Sequence, residues 1–239
     1  MRHFALIGYP LGHSLSERLF TEKFEHEAID ASYKALPIEH VEQIVPHLAR
    51  LSGFNVTIPH KQAIMPLLAS MSDEARAIGA VNCVKVLEDG SLVGYNTDVE
   101  GIRRSLEGVE IGGTKALVLG TGGASKAVCY YLASQGAKVD VVSRKSGAAD
   151  LTYEDVTAAR LGEYSHVVNT TPLGMWPKVD SAPMLPYEAL TPQHTLFDCV
   201  YNPRLTRFLQ EGAKRGARTI DGMTMFLAQA AASWEIWER

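Results

Sequence analysis

The sequence predicts an α/β protein of two domains, and three features predict it. The first hundred residues alternate strand-like and helix-like stretches. Beyond Lys115 the alternation resumes, with β-branched runs that lack polar alternation, as strands of a parallel sheet buried on both faces do. A glycine-rich turn separates the first strand of that second series from its first helix. With 239 residues, 46% of them hydrophobic and 21% charged, the chain can bury two modest cores and has the composition of a folded protein.

In the first series, "HFALIGY" reads as a strand, "SERLFTEKFEHEA" as a helix, "ASYKALPI" as a strand, 39–50 as a polar-apolar helical run and "GFNVTI" as a strand. "AVNCVKVLEDGSLVGYNTD" reads as a hairpin turning at Asp89-Gly90, the pair a type I′ turn favours. Residues 99–108 have helical spacing and end at Gly108, so they are expected to lead into the second series.

That series reads as "KALVLG", a glycine turn, a helix over about 124–135, then the strands "KVDVVSR", "HVVNTT", "TLFDCVY" and "ARTID", closed by an apolar helix over 222–237. In "VLGTGGASKAV", Gly120, Gly122 and Gly123 follow a buried strand and open a helix, with Ala124 and Ser125 next. Such a turn offers backbone N–H groups and a helix N-terminus to a pyrophosphate, where a side chain would block the approach. This is a variant of the Rossmann-type dinucleotide fingerprint. Ser143, Arg144 and Lys145 end the next strand, where an NAD-binding site has an acid; the two cations suit a 2′-phosphate, so NADP is the expected cofactor.

The connection 146–165 is short for a crossover and begins with small residues. Only 153–159 looks helical there, so the second crossover helix is expected to be missing and part of one sheet face exposed.

The charge of -4 and pI near 6.1 argue against a polyanionic partner, and no apolar run approaches the roughly 18 residues of a membrane helix. The start "MRHFALIGYP" is broken too early for a signal peptide. We expect a cytoplasmic protein with a small-molecule substrate, no nucleic acid and no membrane, acting as monomer or homodimer. Cys83, Cys129 and Cys199 lack the spacing of zinc sites or disulfide frameworks, and the histidines form no HxxxH pair flanked by acids, so no metal is expected.

"NVTIPHK" raises a different question, because a strand ends at Pro59 and a long cation follows at Lys61. Asn55, Asn82 and Asp98 also lie in or just beyond strands. In an open α/β sheet the carboxyl ends of strands face the ligand crevice, so these groups, with Ser14 and Ser16 of "GHSLS", suit a small polyhydroxylated acid.

Through "GYPLGHSLS", "NVTIPHK", "GAVNC", "GYNTD", "GTGGASKAV", "NTTPLGM", "DCVYNPRLT" and "DGMTMFLAQ", in that order, the chain resembles the shikimate dehydrogenase family over nearly its whole length. The resemblance implies an N-terminal substrate domain over 1–99, completed by the helix 222–239, a Rossmann-type NADP domain over 100–221, and a cleft between them. It implies the reversible reduction of 3-dehydroshikimate to shikimate, a step toward chorismate and the aromatic amino acids. Lys61 and Asp98 are the implied catalytic pair, with Ser14 and Ser16 on the substrate carboxylate. Thr57, Asn82, Asp98 and Gln229 fall to the remainder of the substrate, and Thr170, Val200 and Gly222 join the cofactor-binding residues already named.

Several positions depart from the family's pattern. Glu17, Phe20 and Thr21 stand where Pro, His and Asn are usual, which bears on helix packing more than on the serines. Cys83 replaces a common threonine, and Ser143 replaces an asparagine, leaving Arg144 as the main phosphate clamp. One alternative is an NAD-dependent quinate/shikimate dehydrogenase, which would want an acid near position 143. Another is a catalytically silent module that senses shikimate or a nucleotide, against which Lys61 and Asp98 count, since a sensor has little use for a proton-transfer pair.

Overall fold

The computed structural model describes residues 1–11 and 15–239. They form two compact units, Met1–Thr97 with Ala230–Arg239, and Asp98–Gln229.

The first unit holds strands β1 (Arg2–Gly8), β2 (Ala31–Pro37), β3 (Gly53–Val56), β4 (Ser70–Met71), β5 (Cys83–Val86) and β6 (Leu92–Tyr95), with helices α1 (Leu15–His26) and α2 (Asp73–Ile78). The strand order is β2-β1-β3-β5-β6-β4, with β2, β1 and β3 parallel and β5 antiparallel to both β3 and β6. Strand alternation sends β1 side chains to two cores. Ala5 and Ile7 join Phe54, Val56 and Val84 on one face, while Phe4 and Leu6 join Phe20, Phe24, Tyr33 and Trp237 on the other. The atypical Phe20 belongs to that second core, stacking on Tyr33 with centroids 4.4 Å apart. Glu17 accepts a hydrogen bond from the Ala35 amide at 2.9 Å, so two of the departures in α1 are engaged by β2, while Thr21 faces solvent.

Two local expectations change. The run 39–50 forms a 3₁₀ helix, Val41–Arg50, and contains Pro46, which has no N–H to donate and whose ring opposes an α-helical turn. In the β5–β6 turn only Gly90 has positive φ, at 82°, and the Leu87 amide donates to the Ser91 carbonyl at 2.9 Å. A type I′ turn requires two left-handed residues, and here Asp89 is spent accepting from the Ser91 amide and hydroxyl instead.

The second unit opens with α3 (Asp98–Ser105) and continues with β7 (Lys115–Leu119), α4 (Gly123–Ser134), β8 (Lys138–Ser143), β9 (Leu151–Thr152), α5 (Ala158–Leu161), β10 (His166–Asn169), β11 (Thr195–Asp198), α6 (Arg207–Ala213) and β12 (Arg218–Ile220). Its sheet is wholly parallel, in the order β12-β11-β10-β7-β8-β9. The order reverses between β7 and β10, the position where a doubly wound sheet opens a crevice at its strand ends. The last helix, α7 (Met223–Glu238), begins in this unit and ends in the first.

Between β8 and β10 the only helix is the single turn α5, which starts later than the helical stretch read from the sequence. The sheet face is nonetheless covered there. Leu151, Val156, Leu161 and Tyr164 are all buried in one cluster with Val142 and Val167, so the expected bare face is filled by turns and the single turn of α5 rather than by a full crossover helix. Among the described residues no helix is long and apolar enough to cross a membrane.

Candidate functional site

The turn that follows β3 is held from several sides. The Thr57 amide donates to the Ile7 carbonyl and the Tyr9 amide to the Ile58 carbonyl, each at 2.9 Å. Gly8 permits this approach: a Cβ there would lie 2.5 Å from the Thr57 methyl and 2.8 Å from the Ile58 carbonyl oxygen. His60 is buried and its Nε2 lies 2.5 Å from the Ile38 carbonyl oxygen. The Lys61 carbonyl accepts from the Val81 amide at 2.7 Å. The backbone of Lys61 is therefore pinned between a buried histidine and the segment before β5, while its side chain is half-buried.

The next residue of that segment, Asn82, is 2% exposed and pairs with Thr97. Its Oδ1 accepts from the Thr97 amide at 2.6 Å and its Nδ2 reaches Thr97 Oγ1 at 3.0 Å. Thr97 Oγ1 also lies 3.0 Å from Ser233 Oγ on α7. Asn55 donates to Ser233 Oγ at 2.9 Å and to the Asn82 carbonyl at 3.2 Å, and accepts from the Tyr33 hydroxyl at 2.8 Å. So Asn55, read from the sequence as a pocket group, holds the framework behind Asn82. Thr97 and Ser233, which the sequence reading missed, complete that framework. Asp98 follows Thr97 directly, opens α3 and is 4% exposed, placing a carboxylate where the helix dipole favours it.

Cys83 is fully buried beside this network, and burial pushes its thiol up to about 12, so it is inert as a nucleophile at neutral pH. Ser16 is buried in the first turn of α1, Ser14 lies outside the described residues, and Thr57 is half-buried at the end of β3. Gln229, half-buried on α7, donates from Nε2 to the Phe226 carbonyl at 2.9 Å.

In the second unit the glycine turn joins β7 to α4. Gly120 has φ 109°, and a Cβ there would come within 2.8 Å of Thr170 Oγ1, which itself donates to the Leu119 carbonyl at 2.6 Å. Gly122 is the N-cap of α4, and a Cβ there would meet nothing within 4 Å, so open space lies over the helix N-terminus. The first turn of α4 carries no acid, leaving the N–H groups that include those of Gly123 and Ala124 suited to an anion. Ser125 points inward, buried, with its hydroxyl 3.9 Å from Cys129 Sγ, and offers only its backbone.

Ser143 Oγ accepts from the Lys145 amide at 3.1 Å, which shapes the turn that displays Arg144 and Lys145 to solvent. Gly222 is also required: a Cβ would lie 2.5 Å from the Cys199 carbonyl oxygen, where the Gly222 amide donates to the Val200 carbonyl. The donor set and the cleared helix N-terminus fit the pyrophosphate and 2′-phosphate of NADP. Among the described residues no cluster of three or more His, Cys, Asp or Glu could hold a metal ion.

Asp198, at the carboxyl end of β11, is a second group the sequence reading missed. Its Oδ1 accepts from Asn169 Nδ2 at 3.0 Å and the Val200 amide at 2.9 Å, and its Oδ2 from the Thr206 hydroxyl at 2.6 Å. One wholly buried carboxylate thus ties together the loops after β10 and β11 and the N-cap of α6. Burial pushes its carboxyl up to about 6, against the pull of those three hydrogen bonds.

A curated shikimate dehydrogenase (NADP(+)) from Clostridium beijerinckii is 40% identical to this chain, across all of it and 92% of the relative. The chain belongs to the shikimate dehydrogenase family. The family model for the shikimate dehydrogenase substrate binding domain matches residues 6–84, the span that contains Ser16, Thr57, Lys61 and Asn82. Among solved structures, shikimate dehydrogenase 1 from Peptoclostridium difficile is 36% identical with a TM-score of 0.88, covering 100% of this chain and 92% of that one. The Thermus thermophilus enzyme, in complex with NADP(H) and shikimate, is 32% identical with a TM-score of 0.87, covering 99% and 93%. The fold described above is therefore shared with oxidoreductases whose named cofactor is NADP.

Proposed function

We propose that this chain catalyses the reversible NADPH-dependent reduction of 3-dehydroshikimate to shikimate, with Lys61 as general acid and base. The observation that carries the reading is the construction around Lys61. A long, half-buried cation stands on a turn fixed by the His60–Ile38 and Lys61–Val81 hydrogen bonds. The adjoining Asn82 is bonded to Thr97, the residue immediately before Asp98.

NADPH, when bound, supplies a hydride to the ketone carbon. The carbonyl π electrons move to oxygen, and the Lys61 ammonium gives its proton to the forming alkoxide. In the reverse direction the neutral Lys61 amine accepts the hydroxyl proton of shikimate. Asp98 orients Lys61 and accepts from a neighbouring substrate hydroxyl, which holds the reacting carbon in position. Ser14 and Ser16 hold the substrate carboxylate, and Thr57, Asn82 and Gln229 complete the set of substrate contacts. Gly120, Gly122, Gly123 and Ala124 would receive the pyrophosphate and Arg144 and Lys145 the 2′-phosphate, with Thr170, Val200 and Gly222 completing the cofactor-binding set.

The test is Lys61→Ala. Loss of general acid–base work lowers kcat by about 10²-fold or more, with a much smaller change in the KM for shikimate. Near-wild-type turnover of the purified variant would remove Lys61 from the mechanism.

A further inference from the structure

The short link between β8 and β9 brings a tyrosine to the end of β8, beside Arg144. Only residues 144–150 connect these parallel strands, and the register pairs Val142 with Leu151 and Ser143 with Thr152. The chain thus returns at once to the neighbouring strand, so both strands end at the same place. One step further along that register, Tyr153 stands beside Arg144, on the face that Val142 and Leu151 share. The Tyr153 ring is half-buried against the cluster of Val142, Leu151, Val156 and Leu161, which fixes its position. Burial raises the Tyr153 phenol, and the positive charge of Arg144 draws it back down, as two groups near one another must do.

The surroundings favour an anion. Among the described residues, the side chains of Arg144 and Lys145 form neither an ion pair nor a hydrogen bond. Two of the three carboxylates of this stretch are engaged by neighbouring groups, while Glu154 faces solvent. Asp150 Oδ2 accepts from the Val141 amide at 2.8 Å, and Asp155 Oδ2 accepts from the Thr152 amide and hydroxyl at 2.7 and 2.8 Å. Arg144, Lys145 and Tyr153 therefore lie together at the ends of β8 and β9, at the place where a doubly wound sheet reads the adenosine ribose.

We propose that Tyr153 is a specificity-determining residue whose hydroxyl donates to the cofactor's 2′-phosphate beside Arg144, so that it favours NADP over NAD. This rests on the NADP-binding reading of the preceding section. With a neutral 2′-hydroxyl in place of the phosphate, the same donor gains little, because only the dianion makes a charge-assisted bond.

The experiment is equilibrium binding of NADP, NAD and adenosine 2′,5′-bisphosphate by isothermal titration calorimetry, for wild type, Tyr153→Phe and Arg144→Ala. Removing one hydroxyl leaves the packing of the ring intact. Tyr153→Phe is expected to weaken NADP and the bisphosphate by about tenfold or more and to leave NAD unchanged. If Arg144→Ala loses the phosphate preference while Tyr153→Phe keeps it, Tyr153 plays no part and the proposal falls alone. If wild type binds NADP no more tightly than NAD, the NADP reading itself fails.

Discussion

Replacing Asp198 by Asn isolates the effect of one buried charge. Asn keeps an oxygen for the Asn169 and Val200 donors, and turns its Nδ2 toward Thr206 Oγ1, whose hydroxyl can reverse from donor to acceptor. What disappears is the ionisation. The Asp198 carboxyl is pushed up to about 6 by burial, above the value of about 4 expected of an unfolded aspartate. Between those values the folded state binds more protons than the unfolded state, so stability falls as pH rises through the window and levels off above it. At 1.36 kcal/mol for each tenfold change in proton affinity, the whole effect is about 3 kcal/mol, and about half of it falls between pH 5 and pH 8. The assay is chemical denaturation of wild type and Asp198→Asn, followed by far-ultraviolet circular dichroism across that range. Other titrating groups cancel in the difference between the two proteins. The variant should gain about 1–1.5 kcal/mol relative to wild type from pH 5 to pH 8. A difference that stays flat with pH would refute the assignment of a buried, proton-retaining carboxyl.

Phe20→Ala empties a site 2% exposed between Tyr33, Phe24 and Trp237 and should destabilise the protein by about 3–5 kcal/mol in denaturant unfolding. A loss below about 1 kcal/mol would mean that the atypical residues of α1 are not part of the core. Gly222→Ala sets a methyl against the Cys199 carbonyl oxygen and should lower Tm, with a loss of about 1–3 kcal/mol from the forced backbone shift. An unchanged Tm would show that this contact gives way freely.

The strands were legible where burial writes itself as composition. "KALVLG", "HVVNTT" and "TLFDCVY" are apolar because the central strands β7, β10 and β11 are covered on both faces, and each was found. The pieces that escaped notice or were misplaced are short, and α2 and α6, six and seven residues long, were not read either. β9 pairs through two residues and α5 is one turn, too little for either periodicity to emerge. Their positions depend on the return of the chain to β8, a tertiary fact.

The candidate site shows a similar division. Lys61, Gly120 and Arg144 were marked by sequence context, since each interrupts or ends an apolar strand with a residue that the strand does not need. The direction of a side chain leaves no such mark. Asn55 and Asn82 look alike as asparagines in or near strand segments, yet Asn55 is engaged by Tyr33 and Ser233 while Asn82 is held by Thr97. Asp198 was hidden for the opposite reason. An acid within "TLFDCVY" reads as the end of a strand, and only the three donors that converge on it reveal its work.

Oxidation of shikimate with NADP as acceptor is followed by absorbance at the reduced-nicotinamide band. Purified protein is supplied with shikimate or quinate, each crossed with NADP or NAD. The fastest rise is expected with shikimate and NADP, and a much slower one when NAD replaces NADP. Faster reduction of NAD than of NADP with either acid, or no reduction in any of the combinations, would contradict that expectation.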